Sequence, residues 1–201
     1  MDRDIEIPHF WEQRYQDGTT RWDLGQEAPP FARLLNSADA PPPGRAAVLG
    51  CGRGHDALLF ATHGFEVVGF DFAPSAIQAA RRNAEKMAIA AEFLQRDIFE
   101  LVPEFAGNFD CVIEHTCFCA IPPRKREAYV EVTRSLLRPG GEVIGLFFTH
   151  NRPGGPPFGI TPEEIKQYFA PHFELVSLEL AFDSIPSRRG EEHLGRFQRQ
   201  S

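Results

Sequence analysis

No apolar run in this chain approaches the roughly 20 residues needed to cross a bilayer, so no membrane span is expected. The opening MDRDIEIPHFWEQRY is too charged for a secretory signal, which points to a cytoplasmic protein. Positive charge is also scarce, with 21 Lys and Arg against 28 Asp and Glu and a formal net charge of −7. Nucleic-acid binding rests on Lys and Arg contacts to phosphate, so that balance argues against it and gives no support for an anionic membrane surface. Cysteine is limited to Cys51, Cys111, Cys117 and Cys119. None has zinc-ligand spacing with histidine, so no metal is expected. Cys117 and Cys119 are too close in sequence for a good disulfide, which leaves reduced, mostly buried thiols. Internal repeats are absent. The 201 residues, 42% of them hydrophobic, suit one domain of ordinary size.

The chain does have a clear alternation. After the break Pro41-Pro42-Pro43-Gly44, strands are expected at Arg45–Leu49, Phe65–Phe70, Ala91–Gln95, Phe109–Glu114 and Glu142–Phe148. Helices are expected at His55–His63, Pro74–Met87 and Arg124–Leu137, the last stopped by Arg138-Pro139-Gly140-Gly141. Such alternation implies a mainly parallel sheet with helices on both faces. The ending differs. A capped helix at Thr161–Phe169 precedes strands at Phe173–Phe182 and Glu192–Gln198, read as an antiparallel hairpin at the sheet edge. Residues 1–43, which carry both tryptophans, read as a cover segment appended to a core of residues 44–201.

The strongest local signal is Val48-Leu49-Gly50-Cys51-Gly52-Arg53-Gly54-His55-Asp56. A strand, three glycines at alternate positions and a helix start let the backbone approach a ligand closely. Alone this is unspecific, and Gly52, Gly54 and Ala57 satisfy a loose dinucleotide fingerprint. Asp71 closes the next strand about 20 residues on, where a carboxylate binds ribose hydroxyls; a helix cap is the plainer alternative. Asp97-Ile98 follows the third strand, suited to an adenine amino group and ring, though an acid there is often a turn residue. Ligands of open α/β sheets lie outside the carboxyl ends of the strands, so His115 points toward the site.

Together these elements resemble the class I S-adenosylmethionine-dependent methyltransferases. Phe10-Trp11-Glu12-Gln13-Arg14-Tyr15, Trp22-Asp23-Leu24-Gly25, Phe118-Cys119-Ala120-Ile121, Gly154-Gly155-Pro156-Pro157-Phe158 and the tail Ile185 to Phe197 narrow the likeness. They are similar to the thiopurine methyltransferase superfamily, and within it to the plant thiol and halide methyltransferases, over nearly the whole chain. The resemblance implies a Rossmann-like fold with a seven-stranded, mainly parallel sheet and an antiparallel last strand. It implies S-adenosyl-L-methionine as cofactor, with Trp11, Tyr15, Trp22, Gly50, Gly52, Asp71, Asp97, Ile98 and His115 at matching positions. Tyr15 stands where plant relatives have tryptophan, His115 where relatives have tyrosine or arginine, and Phe148 where the plant enzymes have tyrosine near a small anion.

The implied chemistry moves a methyl group onto a small soft nucleophile: a thiol, sulfide, thiocyanate, halide or thiopurine. Such an in-line displacement needs positioning and desolvation more than proton transfer. No base–nucleophile pair stands out in the sequence. Phe118, Phe147, Phe148 and Phe158 are candidates for an aromatic pocket wall, at least half of them expected to be ordinary core. Arg188 and Arg189 could attract an anion, although exposed arginine pairs are usually solvated surface. The expected partner is a small-molecule substrate, with no nucleic acid and no membrane; the oligomeric state is open, a monomer being the expectation. A nicotinamide-dependent oxidoreductase and a non-catalytic S-adenosylmethionine-binding protein remain as alternatives.

Overall fold

The computed structural model describes residues 4–200. Seven strands form one sheet in the order β3-β2-β1-β4-β5-β7-β6. They are β1 (Arg45–Leu49), β2 (Glu66–Asp71), β3 (Glu92–Gln95), β4 (Phe109–His115), β5 (Leu137–Phe148), β6 (Phe173–Leu180) and β7 (Glu192–Arg199). The first five run parallel, and β7 lies antiparallel between β5 and β6. The antiparallel element is thus the last strand in sequence but the last but one in space. Inserting it gives β7 a partner on each side and leaves β6 as the edge, where Val176 has no partner and the pairing with β7 slips by one residue.

Side chains of a strand alternate between its two faces, and β1 shows how the two cores arise. Ala46 and Val48 enter a core with Phe31, Phe60, Ile77 and Phe93, beneath α2 (Pro29–Leu35), α3 (His55–Thr62) and α4 (Pro74–Met87). Ala47 and Leu49 enter the opposite core with Phe118, Tyr129, Phe147 and Phe169, beneath α5 (Val102–Phe105), α6 (Arg126–Leu136) and α7 (Pro162–Phe169). Pro74 and Pro162 open their helices at the first turn, where no N–H is missed. Thr161 and Glu164 close a reciprocal capping box on α7.

Three boundaries differ from the sequence reading. A 3-10 turn at Pro123–Lys125 delays α6. Strand β5 begins at Leu137, opposite Phe109, and runs through the Pro-Gly-Gly stretch that reads as a stop; a register shift after Phe109 absorbs it. The N-terminal 43 residues are not one appendage. Ala28, Phe31, Leu34 and Leu35 are buried, and the Ala28 N–H donates to Asp56 Oδ1 at 2.7 Å, so α2 belongs to the core. Only α1 (Pro8–Gln16) and its flanks lie outside it, with no residue of α1 buried. Among the described residues, no helix is long and apolar enough to cross a membrane.

Candidate active site

The loop after β1 is shaped by what cannot fit there. Gly50 has φ +63°, and a Cβ on it would stand 3.0 Å from Cys117 Sγ. Gly52 has φ +55°, and a Cβ there would stand 3.2 Å from the Tyr15 hydroxyl. Both positions need the left-handed conformation that glycine adopts without a steric penalty. The Gly52 N–H donates to Asp71 Oδ2 at 3.0 Å and the Ala73 N–H to Asp71 Oδ1 at 2.9 Å. Asp71 therefore joins the end of β2 to the glycine loop while lining the cavity beyond it. Burial, partly offset by these donors, raises its carboxyl to about 6, so it is mostly ionised at neutral pH.

His115 ends β4 and is held from both sides. Its Nδ1 lies 2.6 Å from Asp56 Oδ2, on the first turn of α3. Its Nε2 lies 3.0 Å from Arg188 Nη1 and 3.4 Å from Glu192 Oε1. Burial disfavours the imidazolium, but the attraction of Asp56 and the hydrogen bonds to Asp56 and Glu192 outweigh it and raise His115 to about 9. The protonated ring donates to both carboxylates. The neutral ring keeps its Nδ1–H on Asp56 and accepts from Arg188 through Nε2. The next residue, Thr116, has φ +60°, an unusual conformation for a β-branched side chain. The Glu114 carboxylate, fully buried, supports this turn by accepting the Phe118 N–H at 2.7 Å.

These strand ends open into a cavity of about 1000 Å³, at the upper end of small-molecule pockets. Gly50, Asp71, Asp97, Ile98 and His115 line it from the sheet side. Asp97 spends Oδ1 on the Phe99 N–H at 2.9 Å; among the described residues its Oδ2 accepts nothing. The opposite wall comes from residues 5–22, including Trp11, Tyr15 and Trp22. Trp11 and Tyr15 meet the Trp22 ring edge-on at centroid distances of 5.3 and 5.7 Å. Phe148, at the end of β5, and the loop residues Pro156, Pro157 and Phe158 also line the cavity. Gly52 opens instead onto a small adjoining pocket beside α3, shared with Tyr15, Trp22 and His115. The residues at the strand ends fit a nucleoside-bearing cofactor: a cradle a Cβ would fill, a carboxylate at the end of β2 and a second acid with an unengaged oxygen after β3.

The family model described as Thiopurine S-methyltransferase (TPMT) matches residues 7–200. The chain belongs to this family. It is an S-adenosylmethionine-dependent methyltransferase. It is 35% identical to the Probable thiol methyltransferase 2 of Arabidopsis thaliana over 195 residues, covering 95% of this chain and 85% of the relative. It is likewise 35% identical to the Thiocyanate methyltransferase 1 of Brassica oleracea, covering 94% and 84%. Its fold is shared with the 1,6-didemethyltoxoflavin-N1-methyltransferase of Burkholderia thailandensis, solved with bound 1,6-didemethyltoxoflavin and S-adenosylhomocysteine. The TM-score is 0.77 and the identity 21%, over 96% of this chain and 87% of that one.

Of the phenylalanines expected on the pocket wall of this methyltransferase, Phe148 and Phe158 line the cavity. Phe118 and Phe147 do not. Each is 1% exposed, packed against the other and against Phe169. The Phe118 ring lies instead against Tyr129 of α6 and against Tyr168 and Phe169 of α7. Arg188 is not a solvated surface residue either: it is 8% exposed. Sequence reasoning missed Asp56 and Glu192, the carboxylates that hold His115. Asp56 had a signal, being the acid in the first turn after the glycine loop. Glu192 had none, because only the pairing of β7 with β5 brings it beside His115.

Proposed function

We propose that this methyltransferase acts on a small, soft nucleophile that arrives already ionised: a thiolate, hydrogen sulfide ion, thiocyanate, halide or thiopurine thiolate. The observation that carries this reading is that His115, the one histidine among the described residues lining the cavity, is not a free base, while Asp71 and Asp97 are assigned to the cofactor. His115 is committed to Asp56 and is protonated below about pH 9. Burial pushes the thiols of Cys117 and Cys119 up, so neither is a thiolate at neutral pH. The names of the plant relatives support the same class of acceptor.

S-adenosylmethionine, when bound, supplies an electrophilic methyl group on a sulfonium. In this reading Gly50, Gly52 and Asp71 hold its nucleoside end with Asp97 and Ile98, while Trp11, Tyr15, Trp22 and His115 enclose the remainder. Phe148 and Phe158 strip water from the acceptor, which costs a weakly hydrated, polarizable anion least. Residues 5–25 act as a cover. We place the protein in the cytosol as a monomer, and its acidic charge opposes contact with nucleic acid and anionic lipid.

The reading is tested by comparing an alkyl thiol with iodide on one enzyme. Between about pH 6 and 8.5, kcat/KM for the thiol should rise toward the thiol's own pKa, near ~8.5. Iodide, ionised throughout, should give a flat profile over the same range. A common curve for both acceptors would assign the titrating group to the protein and remove the base-free mechanism.

A further inference from the structure

Arg188 sits in the 3-10 turn Pro186–Arg188 that precedes β7, yet its guanidinium reaches three separate parts of the molecule. Nη1 donates to Glu192 Oε1 at 2.9 Å, and Glu192 is only 1% exposed. The same nitrogen is 3.0 Å from His115 Nε2. Nη2 donates to the main-chain carbonyl of Trp22 at 2.6 Å, across 166 positions of sequence. The guanidinium carbon also stands 5.7 Å from the centroid of Phe148.

This charge is already matched. Glu192 is buried beside it, and the other guanidinium over Phe148, that of Arg152, pairs with the neighbouring Glu191. An incoming anion would have to displace a buried carboxylate to use Arg188. The contact with Trp22 has no such competitor. Trp22 ends the stretch that walls the cavity, and its ring packs on Trp11 and Tyr15. Holding its carbonyl therefore holds the aromatic part of that wall. A planar guanidinium with donors on separate edges can grip Glu192 and Trp22 at once, which a lysine ammonium on its flexible stem does poorly.

We propose that Arg188 is a positioning residue that latches residues 5–25 closed through the Trp22 carbonyl, and that it does not serve as the recognition group for an anionic acceptor. The inference rests on the reading of residues 5–25 as a cover. It adds the device that couples this cover to the strand end bearing His115.

Both tryptophans of the chain, Trp11 and Trp22, lie on the cover, so intrinsic fluorescence reports its position directly. The full-length protein and its Arg188→Lys variant would be compared without ligand, by emission maximum and acrylamide quenching, and then in steady-state kinetics. The expected result is red-shifted, more quenchable emission in Arg188→Lys. The KM for S-adenosylmethionine should rise about tenfold, the loss of one charge-assisted hydrogen bond, with kcat within about threefold of wild type. Iodide and a thiol should be affected alike. Removing the arginine alone would leave Glu192 buried without its partner, so the second variant is Arg188→Met with Glu192→Gln, which removes both charges and should show the same emission change. Unchanged emission in both variants overturns the latch. So does a rise in the KM for iodide with the thiol and the emission unaffected, which would make Arg188 an anion site. If calorimetry shows that wild type binds no S-adenosylhomocysteine, the assignment of the cavity fails, while the ligand-free emission still decides the latch.

Discussion

The sheet-side wall of the cavity and the wall facing it are held by different kinds of bond. Strands β1, β2 and β4 are each paired on both sides, so Gly50, Asp71 and His115 stand at the ends of fixed backbone. Residues 5–25 have no fully buried side chain beyond Ile5. They are fastened by individual side chains. Glu12 accepts the Ser75 N–H at 2.9 Å and its hydroxyl at 2.6 Å. Glu6 pairs with Lys125 at 2.8 Å and with Arg124, Asp23 pairs with Arg53 at 2.7 Å, and Arg188 holds Trp22. A few exposed ion pairs are worth little each. Local opening draws on the least stable parts of a structure. The contrast therefore separates a wall that fixes a ligand from a wall that admits one.

Truncation should separate the two walls most sharply. Deleting residues 1–25 should leave cooperative thermal unfolding while lowering turnover by about a hundredfold or more, roughly the ~10² cost of losing alignment. Deleting residues 1–43 should abolish folding. It removes Phe31, Leu34 and Leu35 from the core, and losing one buried phenylalanine alone costs about 3–5 kcal/mol against a typical total of about 5–15. Circular dichroism melts of both chains decide the matter; loss of the transition in the shorter deletion would make the cover structural.

Next in size is the titration of His115. Its pKa rises on folding to about 9. The stability it contributes is thus fully present below the ordinary histidine value and is lost as pH rises through about 9. By linkage the loss is on the order of a few kcal/mol. Urea midpoints should fall over that range in wild type and much less in His115→Gln. Parallel curves would mean that Asp56 does not hold the ring charged.

Asp71→Ala should weaken S-adenosylhomocysteine binding by more than about tenfold, the loss of at least one charge-assisted hydrogen bond at about 1.5–3 kcal/mol. Wild-type affinity in calorimetry would remove Asp71 from the ligand's contacts. The smallest effect is expected for Glu12→Gln, which weakens a docking contact of the cover worth about 1 kcal/mol. The KM for cofactor should rise severalfold with the melting temperature unchanged. A lowered melting temperature with unchanged KM would place Glu12 among the groups that hold the fold together.

The sheet was legible in the sequence because β1, β2 and β4 are short apolar runs separated by glycine and proline, and the glycine loop announces its own position. The role of α2 was not. Pro41-Pro42-Pro43 punctuates the chain without separating its parts, because the core that Phe31 joins is completed by Phe60 and Phe65, well beyond the break. Phe118 carried no local sign of its direction, since the rings it packs on, Tyr129 and Phe169, lie on α6 and α7 further along the chain. The partners of His115 were divided in the same way. Asp56 is close to the loop motif, whereas Glu192 and Arg188 arrive only through the placement of β7.

The unpaired Val176 in β6 bears on how the sheet ends. Leu175, Val176 and Leu180 are exposed on this outermost strand, which would invite an incoming chain to pair along it. The slip in register divides the strand's pairing into Phe173–Leu175 and Ser177–Leu180, each shorter than the usual five- or six-residue strand, about 17–20 Å long. A bulge twists and interrupts the row of main-chain donors and acceptors that a template requires. The single extra residue thus works as a terminator, letting an apolar edge face water with little capacity to seed sheet-to-sheet aggregation.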